Sequence, residues 1–211
     1  MSTEERKTIY LCLAHMSEEG YEQKYVKEAF DTNWVVPMGP HVNAFEQNLA
    51  DFANANSDGS KLARKVVCLS AGTAAVHLAL IACGVKTGDE VCVQSFTFCA
   101  SSHPITYLGA KPVFIDSERE TWNMDPELLE KAIIERKAAI GKYPKAIIPV
   151  ALYGMPYDCE RIMAIADKYG IPVIEDAAEG LGSRFNGQVL GTFGRFGVLS
   201  FNGNKMITTS G

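Results

Sequence analysis

Residues 65–84 read KVVCLSAGTAAVHLALIACG. The β-branched run 65–69 predicts a strand, the small residues 70–72 predict a tight turn, and the apolar run 73–83 predicts a helix that Gly84 closes. A strand that turns directly into a helix is the unit from which parallel sheets are built. This stretch therefore favours an α/β fold.

The same alternation continues towards the C-terminus. Further strands are predicted at 90–94, 112–115, 145–150 and 172–175. Helices are predicted between them, at 101–107, after the capping residue Asp125, and at 162–169. The uninterrupted apolar run before Glu175 is typical of a strand that is covered on both faces. We therefore expect a mostly parallel sheet with helices on both sides.

The two ends of the chain differ from this middle part. Upstream, Ser17 is a predicted cap for a helix that reaches about Phe30. A second helix is expected to bury one apolar stripe, formed by Val42, Phe45, Leu49 and Phe52. Downstream, the glycine-rich part 180–203 predicts turns and short strands, with a hairpin at Asn186 and Gly187.

Composition limits the classes of function. The chain has 211 residues, 47% of them hydrophobic and 21% charged, with a formal net charge of −5. This apolar content excludes a disordered chain and suits one globular domain. The acidic balance argues against nucleic acid or an anionic membrane as a partner. No apolar stretch is long enough to span a bilayer and no signal peptide is recognisable, so we expect a cytoplasmic protein.

The six cysteines are predicted to be free thiols, mostly buried. They show no CxxC pair and no histidine at zinc-ligand spacing, so no metal site is expected. Such cysteines fit a reducing cytosol.

Three segments place chemically useful residues after predicted strands, where ligands bind in open α/β sheets. The turn before Gly72 and Thr73 offers backbone N–H groups and a hydroxyl to a phosphate. Asp176 places a carboxylate just beyond a buried strand. Lys205 lies in an uncharged, glycine-rich stretch and is a candidate amine nucleophile. Together these are the parts that pyridoxal phosphate requires: a phosphate site, a carboxylate for the ring nitrogen and a lysine.

Six motifs carry a family resemblance: SAGTAAVHLAL, SFTFCAS, KPVFID, LYG, EDAAEGLGS and GTFGRFGVLSFNGNKMITTSG. Over 34–211 they resemble, in order and spacing, the DegT/DnrJ/EryC1/StrS family of sugar aminotransferases. The resemblance implies a pyridoxal phosphate-dependent enzyme whose large domain has the aminotransferase type I fold. It further implies a homodimer in the full-length protein.

The resemblance assigns residues to roles. Lys205 matches the lysine that forms the Schiff base, and Asp176 matches the partner of the ring nitrogen. Gly72, Thr73 and Ser200 match phosphate ligands. One aromatic and one acidic residue complete the cofactor site. Phe98 matches the residue that stacks on the ring, and Glu179 stands where many members carry Gln near the 3′-oxygen. An ionised Glu can only accept hydrogen bonds, so the pattern there is expected to differ.

The resemblance also suggests substrates. The EDAAE and NGNK versions of the motifs look most like the branch that aminates C4 of UDP-4-keto-6-deoxy-N-acetylglucosamine, with glutamate as the amino donor. By the same resemblance Asn33 and Trp34 approach the sugar site, although ordinary loop packing explains them equally well. Freed Lys205 is then expected to move the proton as general acid and base.

Other functions are weighed against this one. An aminotransferase for a different nucleotide keto-sugar stays open. A dehydratase of this fold carries histidine in place of Lys205, and a nicotinamide-dependent oxidoreductase needs a glycine fingerprint that is absent from the sequence.

The end of the chain adds a further alternative. It stops at Gly211 without a closing helix, so we expect a large domain cut short, spanning 1–211, without the C-terminal small domain. The chain is then either an enzyme or a non-catalytic, cofactor-binding part that needs the missing half.

Overall fold

The structure is a computed structural model that describes residues 16–209. Its helices are α1 (Tyr21–Asp31), α2 (Pro40–Asn54), α3 (Gly72–Ala82), α4 (His103–Tyr107), α5 (Pro126–Ile140) and α6 (Cys159–Tyr169). Its strands are β1 (Glu90–Gln94), β2 (Lys111–Ile115), β3 (Ala146–Ile148), β4 (Ile174–Asp176), β5 (Arg184–Phe185), β6 (Gln188–Val189) and β7 (Phe196–Val198). The predicted α/β class is confirmed.

The central sheet is parallel. β1 pairs with β2 on one side and β3 on the other, and β4 pairs with β7. Parallel bridges from Ile147 to Val173 and from Val150 to Asp176 join the two groups. The order is therefore β2-β1-β3-β4-β7, with the carboxyl ends of the strands along one edge.

Helices cover both faces of this sheet. Cys92 and Ile147 contribute to a buried cluster under α5 and α6, while Val91, Val93 and Ile148 contribute to a second cluster under α3 and α4. Successive strand residues point to opposite faces, and both sets are apolar here. This explains the continuous apolar runs in the sequence.

Local signals placed several elements correctly. The Asp125 carboxylate accepts hydrogen bonds from the backbone N–H groups of Glu127 and Leu128, so it caps α5 as predicted. Asn186 and Gly187 both have positive φ, at 47° and 85°, and form the tight turn between β5 and β6. The predicted hairpin is confirmed.

The predicted strand at 65–69 is wrong. This segment has no regular secondary structure and belongs to no described sheet, and Val67 and Leu69 are 71% and 43% exposed. A strand needs a neighbour for its backbone groups, and the described part of the chain does not provide one here.

The two N-terminal helices also differ from the expectation. α1 begins at Tyr21 with Gly20 as its N-cap, so the prediction of Ser17 as the cap is wrong; Ser17 lies one turn earlier, where its Oγ accepts the Tyr21 N–H at 2.9 Å. In α2 the predicted apolar stripe is not a buried face: Phe52 is exposed, and the fully buried residues are Ala50 and Ala53. The rest of the stripe faces a cavity, described below.

The cysteine prediction holds in part. Cys83, Cys92 and Cys159 are buried free thiols, whereas Cys68 and Cys99 are exposed. The sixth cysteine, Cys12, lies outside the described residues. Burial raises the pKa of Cys92 and of Cys159 to about 12. Within 16–209 there is no cluster of three or more His, Cys, Asp or Glu residues that could hold a metal ion. None of the helices in this range is long and apolar enough to cross a membrane.

Candidate active site

A cavity of about 1400 Å³ opens at the carboxyl ends of the strands. Its walls come from α2, the segment 65–69, the start of α3, and the loops that follow β1, β4 and β7. The lining includes every residue predicted to contact the cofactor: Gly72, Thr73, Phe98, Asp176, Glu179, Ser200 and Lys205. Residues more than one hundred positions apart in sequence thus face one space.

Asp176 ends β4 and is buried, with 6% of its surface exposed. Its Oδ2 accepts the hydroxyl of Ser101 at 2.5 Å, and its Oδ1 accepts the N–H of Ala178 at 3.2 Å. Burial raises the pKa of Asp176, although these two donors and the positive charge of Lys205 oppose the rise. The carboxylate is thus held in a fixed direction at the cavity.

Lys205 lies in the loop after β7, with only 17% of its side chain exposed. Its Nζ is 3.3 Å from Oε1 of Glu179. The other carboxylate oxygen of Glu179 accepts the N–H of Tyr153 at 2.7 Å. Glu179 therefore connects the lysine to a turn in which Tyr153 has the left-handed φ of 53°.

The N-terminus of α3 faces Ser200 across a narrow space. A Cβ on Gly72 would lie 3.8 Å from Cβ and 3.9 Å from Oγ of Ser200. No side chain of the described residues caps this helix, since Ala71 is its N-cap. Free N–H groups at a helix N-terminus, with the hydroxyls of Thr73 and Ser200 beside them, favour an anion.

The aromatic and sugar-site predictions fare differently. Phe98 lines the cavity and is 75% exposed, so its ring is free to contact a ligand. Asn33 and Trp34 do not line the cavity in the described structure, and the ring of Trp34 lies against Gly39. Their assignment to the substrate stays a prediction.

Two contributors were missed from the sequence. Ser101 donates a hydrogen bond to Asp176 and contacts Thr97, four positions earlier in the chain; these two hydroxyl residues within the SFTFCAS motif were the available signal. The backbone N–H of Tyr153 was missed as well. Its signal was the tight LYG turn, where Gly154 also has positive φ, at 81°.

This set of residues fits pyridoxal phosphate. The uncapped α3 N-terminus and the two hydroxyls suit its phosphate, the buried Asp176 carboxylate suits a protonated ring nitrogen, and Lys205 supplies an amine within the same cavity. The phosphate and the protonated ring nitrogen thus each have a partner of complementary chemistry in this cavity.

Comparison with known proteins agrees with this fit. The DegT/DnrJ/EryC1/StrS aminotransferase family model matches residues 16–211. EpsN from Bacillus subtilis (strain 168), provisionally described as a pyridoxal phosphate-dependent aminotransferase, is 54% identical over 205 residues, 97% of this chain and 50% of EpsN. GDP-perosamine synthase from Escherichia coli O157:H7 is 40% identical over 200 residues, 95% of this chain and 51% of the synthase.

The solved structures give the same result. Spr1654 from Streptococcus pneumoniae, provisionally described as a sugar aminotransferase, matches in its PLP-form with a TM-score of 0.75 and 32% identity. The match covers 89% of this chain and 48% of Spr1654. The chain thus spans about half the length of these relatives. It belongs to the DegT/DnrJ/EryC1/StrS family of pyridoxal phosphate-dependent sugar aminotransferases.

Proposed function

We propose that this chain carries the chemical residues of an aminotransferase that aminates a nucleotide-linked 4-keto-6-deoxy sugar. The substrate is of the UDP-4-keto-6-deoxy-N-acetylglucosamine type, and glutamate is the amino donor. The observation that carries the proposal is the meeting of Lys205, Asp176 and the α3 N-terminus in one cavity. A different nucleotide keto-sugar is the alternative substrate, and the 40% identity to a GDP-perosamine synthase supports keeping it in the tests.

Each residue has a definite task in this reaction. Pyridoxal phosphate, when bound, would supply an electron sink in its ring and a carbonyl group that can carry the amino group from donor to acceptor. Lys205 Nζ would hold the cofactor and, as a free amine, would take and return a proton at the substrate carbon. The Asp176 carboxylate keeps the ring nitrogen protonated. The N–H groups at the start of α3, with Thr73 and Ser200, hold the phosphate.

The assembly and location follow the family resemblance. We expect a homodimer in the cytoplasm, acting on small molecules, with neither nucleic acid nor membrane as a partner. Glu179 is expected to meet the cofactor only as an acceptor, because an ionised carboxylate has no proton to donate. Its two oxygens accept from Lys205 and from the N–H of Tyr153.

A second candidate function is a cofactor-binding part that is inactive without the rest of a longer protein. The segment 65–69 favours it. This segment lines the cavity, yet its strand-like sequence has no partner strand in the described chain, and Val67 is 71% exposed. A cavity with one uncovered wall admits water, which weakens electrostatic contacts with a ligand.

The first test locates the cofactor. The protein is mixed with pyridoxal phosphate, reduced with borohydride and digested for peptide mapping. We expect one adduct, on Lys205, that Lys205→Ala abolishes and Lys168→Ala leaves unchanged. Lys168 is a suitable control because it lies on α6 in a surface pair with Glu130. A principal adduct on another lysine would overturn the assignment of Lys205.

The second test separates the two candidate functions. Transamination from glutamate is assayed with UDP- and GDP-linked 4-keto-6-deoxy sugars, and the oligomeric state is measured by size exclusion. Turnover with the UDP-sugar by a dimer supports the enzyme. A Lys205 adduct without turnover in a folded monomer supports the cofactor-binding part.

A further inference from the structure

The buried hydroxyl of Ser101 makes the shortest contact of the Asp176 carboxylate. Ser101 is fully buried at the end of a 3₁₀ turn, Cys99–Ser101, and its Oγ lies 2.5 Å from Oδ2 of Asp176. The same Oγ lies 2.8 Å from Oγ1 of Thr97. The three side chains form a hydrogen-bonded chain from the half-buried Thr97 through Ser101 to the buried carboxylate of Asp176.

The direction of these hydrogen bonds follows from proton counting. An ionised carboxylate only accepts, whereas each hydroxyl has a single proton to donate. The Ser101 proton is therefore committed to Asp176, and the Thr97 proton is committed to Ser101. If Asp176 were neutral, its own proton could point to Ser101 and the order could reverse. The direction of the hydrogen bonds in this chain thus depends on the charge of Asp176.

We propose that Ser101, supported by Thr97, is a positioning residue that keeps Asp176 ionised and aimed into the cavity. The inference rests on the proposed function, in which that carboxylate faces the ring nitrogen of the cofactor. It assigns a role to the SFTFCAS motif beyond the stacking residue Phe98. Neither hydroxyl needs to touch the cofactor.

The need for such a donor comes from burial. Removing a carboxylate from water disfavours its charged form, and this effect raises the pKa of Asp176. The Ser101 hydroxyl opposes the rise most, followed by the Ala178 N–H and the charge of Lys205, while the charge of Glu179 adds to it. Without Ser101, the pKa of Asp176 rises further.

This difference predicts a pH-dependent stability in the protein without cofactor. A carboxyl whose pKa is raised by folding lowers stability as pH increases from its unfolded value, about 4, to its folded value. In Ser101→Ala the folded pKa is higher, so the loss continues to higher pH. The ratio of the unfolding constant of the variant to that of wild type therefore grows with pH. Its total growth is about tenfold for each unit by which the folded-state pKa of Asp176 is higher in the variant than in wild type.

A lost hydrogen bond or a packing defect alone would behave differently. It would change stability by the same factor at every pH, because no proton is taken up or released. Ser102→Ala provides this control: Ser102 is the next residue, is half-buried like Thr97, and its Oγ donates to the carbonyl of Cys99 at 3.3 Å. Its ratio is expected to be flat with pH.

The experiment is denaturant unfolding of the cofactor-free protein from pH 5 to pH 9. We expect a rising ratio for Ser101→Ala, a smaller rise for Thr97→Val, and flat ratios for Thr97→Ser and Ser102→Ala. Thr97 is only half-buried, so its variants decide the matter even if Ser101→Ala does not fold. Flat ratios for both Ser101→Ala and Thr97→Val would overturn the inference.

The borohydride adduct separates this result from the proposed function. Wild type without an adduct on Lys205 contradicts the proposed function, whatever the pH comparison shows. An adduct on Lys205 together with flat ratios contradicts only the role of Ser101. In Ser101→Ala we expect the adduct to persist, with a shifted pH dependence of the absorbance of the bound cofactor.

Discussion

Glu179 shows, at the scale of single residues, how one carboxylate can serve two partners. One oxygen accepts from Lys205 and the other from the N–H of Tyr153, and 25% of the side chain is exposed. The residue types at the site were predictable, because each has a chemistry that the cofactor demands. Their contacts were not, since Glu179 and Lys205 are 26 positions apart and only the fold brings them together.

Two substitutions of Glu179 separate its partners. Glu179→Gln keeps an acceptor for the Tyr153 N–H and loses the ion pair, which is partly exposed, so we expect a cost below about 1 kcal/mol. Glu179→Ala leaves that N–H without its acceptor and is expected to cost about 1–3 kcal/mol. Urea unfolding at neutral pH measures both. Equal costs for the two variants would mean that the bond to Tyr153 contributes nothing.

At the scale of elements, sequence patterns worked where the deciding partners are local. Two features depend only on residues next to them in sequence: the Asp125 cap and the Asn186–Gly187 turn. The strand β1 depends on pairing with β2, which the described chain provides. The segment 65–69 has a strand sequence as good as that of β1 but lacks a neighbouring strand among residues 16–209. Propensity alone does not form a strand, because the backbone groups need partners.

β7 illustrates an element that depends on a glycine. A Cβ on Gly197 would overlap the carbonyl oxygen of Gly191, whose own loop is held by the buried carboxylate of Glu175 through the N–H groups of Gly191 and Gly194. Moving that loop away from β7 would break these hydrogen bonds to Glu175 and would therefore cost free energy. The fit places β7 against the loop and so sets where the chain continues towards Lys205.

Gly197→Ala is therefore expected to destabilise the protein by at least about 2 kcal/mol, because backbone must move to admit the methyl group. Gly203→Ala is the matched control: a Cβ there meets no atom within 4 Å, and its φ is not positive. Denaturant unfolding compares the two. If Gly197→Ala were as stable as Gly203→Ala, the close approach to Gly191 would have no energetic weight.

At the scale of the whole molecule, stability is distributed unevenly. Both faces of the sheet carry a buried apolar cluster, and β1 and β3 lie fully buried between them. By contrast, α1 has no buried residue, and the side of α2 predicted to be buried faces the cavity. The fold class followed from the sequence because the clusters lie within the chain. The exposure of α1 and of one side of α2 did not, since the amphipathic pattern of a helix does not tell whether another element covers its apolar face.

Hydrogen exchange of the cofactor-free protein tests this distribution. We expect the backbone amides of β1 and β3 to exchange at least about a hundredfold more slowly than those of 66–69, because local opening costs little where few apolar contacts are broken. The N–H of Cys68 is an internal control. It donates to Oε1 of Glu46 at 2.7 Å, so it should exchange more slowly than Val67, and Glu46→Ala should remove the difference. Strong protection throughout 66–69 would contradict an uncovered segment and would show that another copy of the chain already pairs with it.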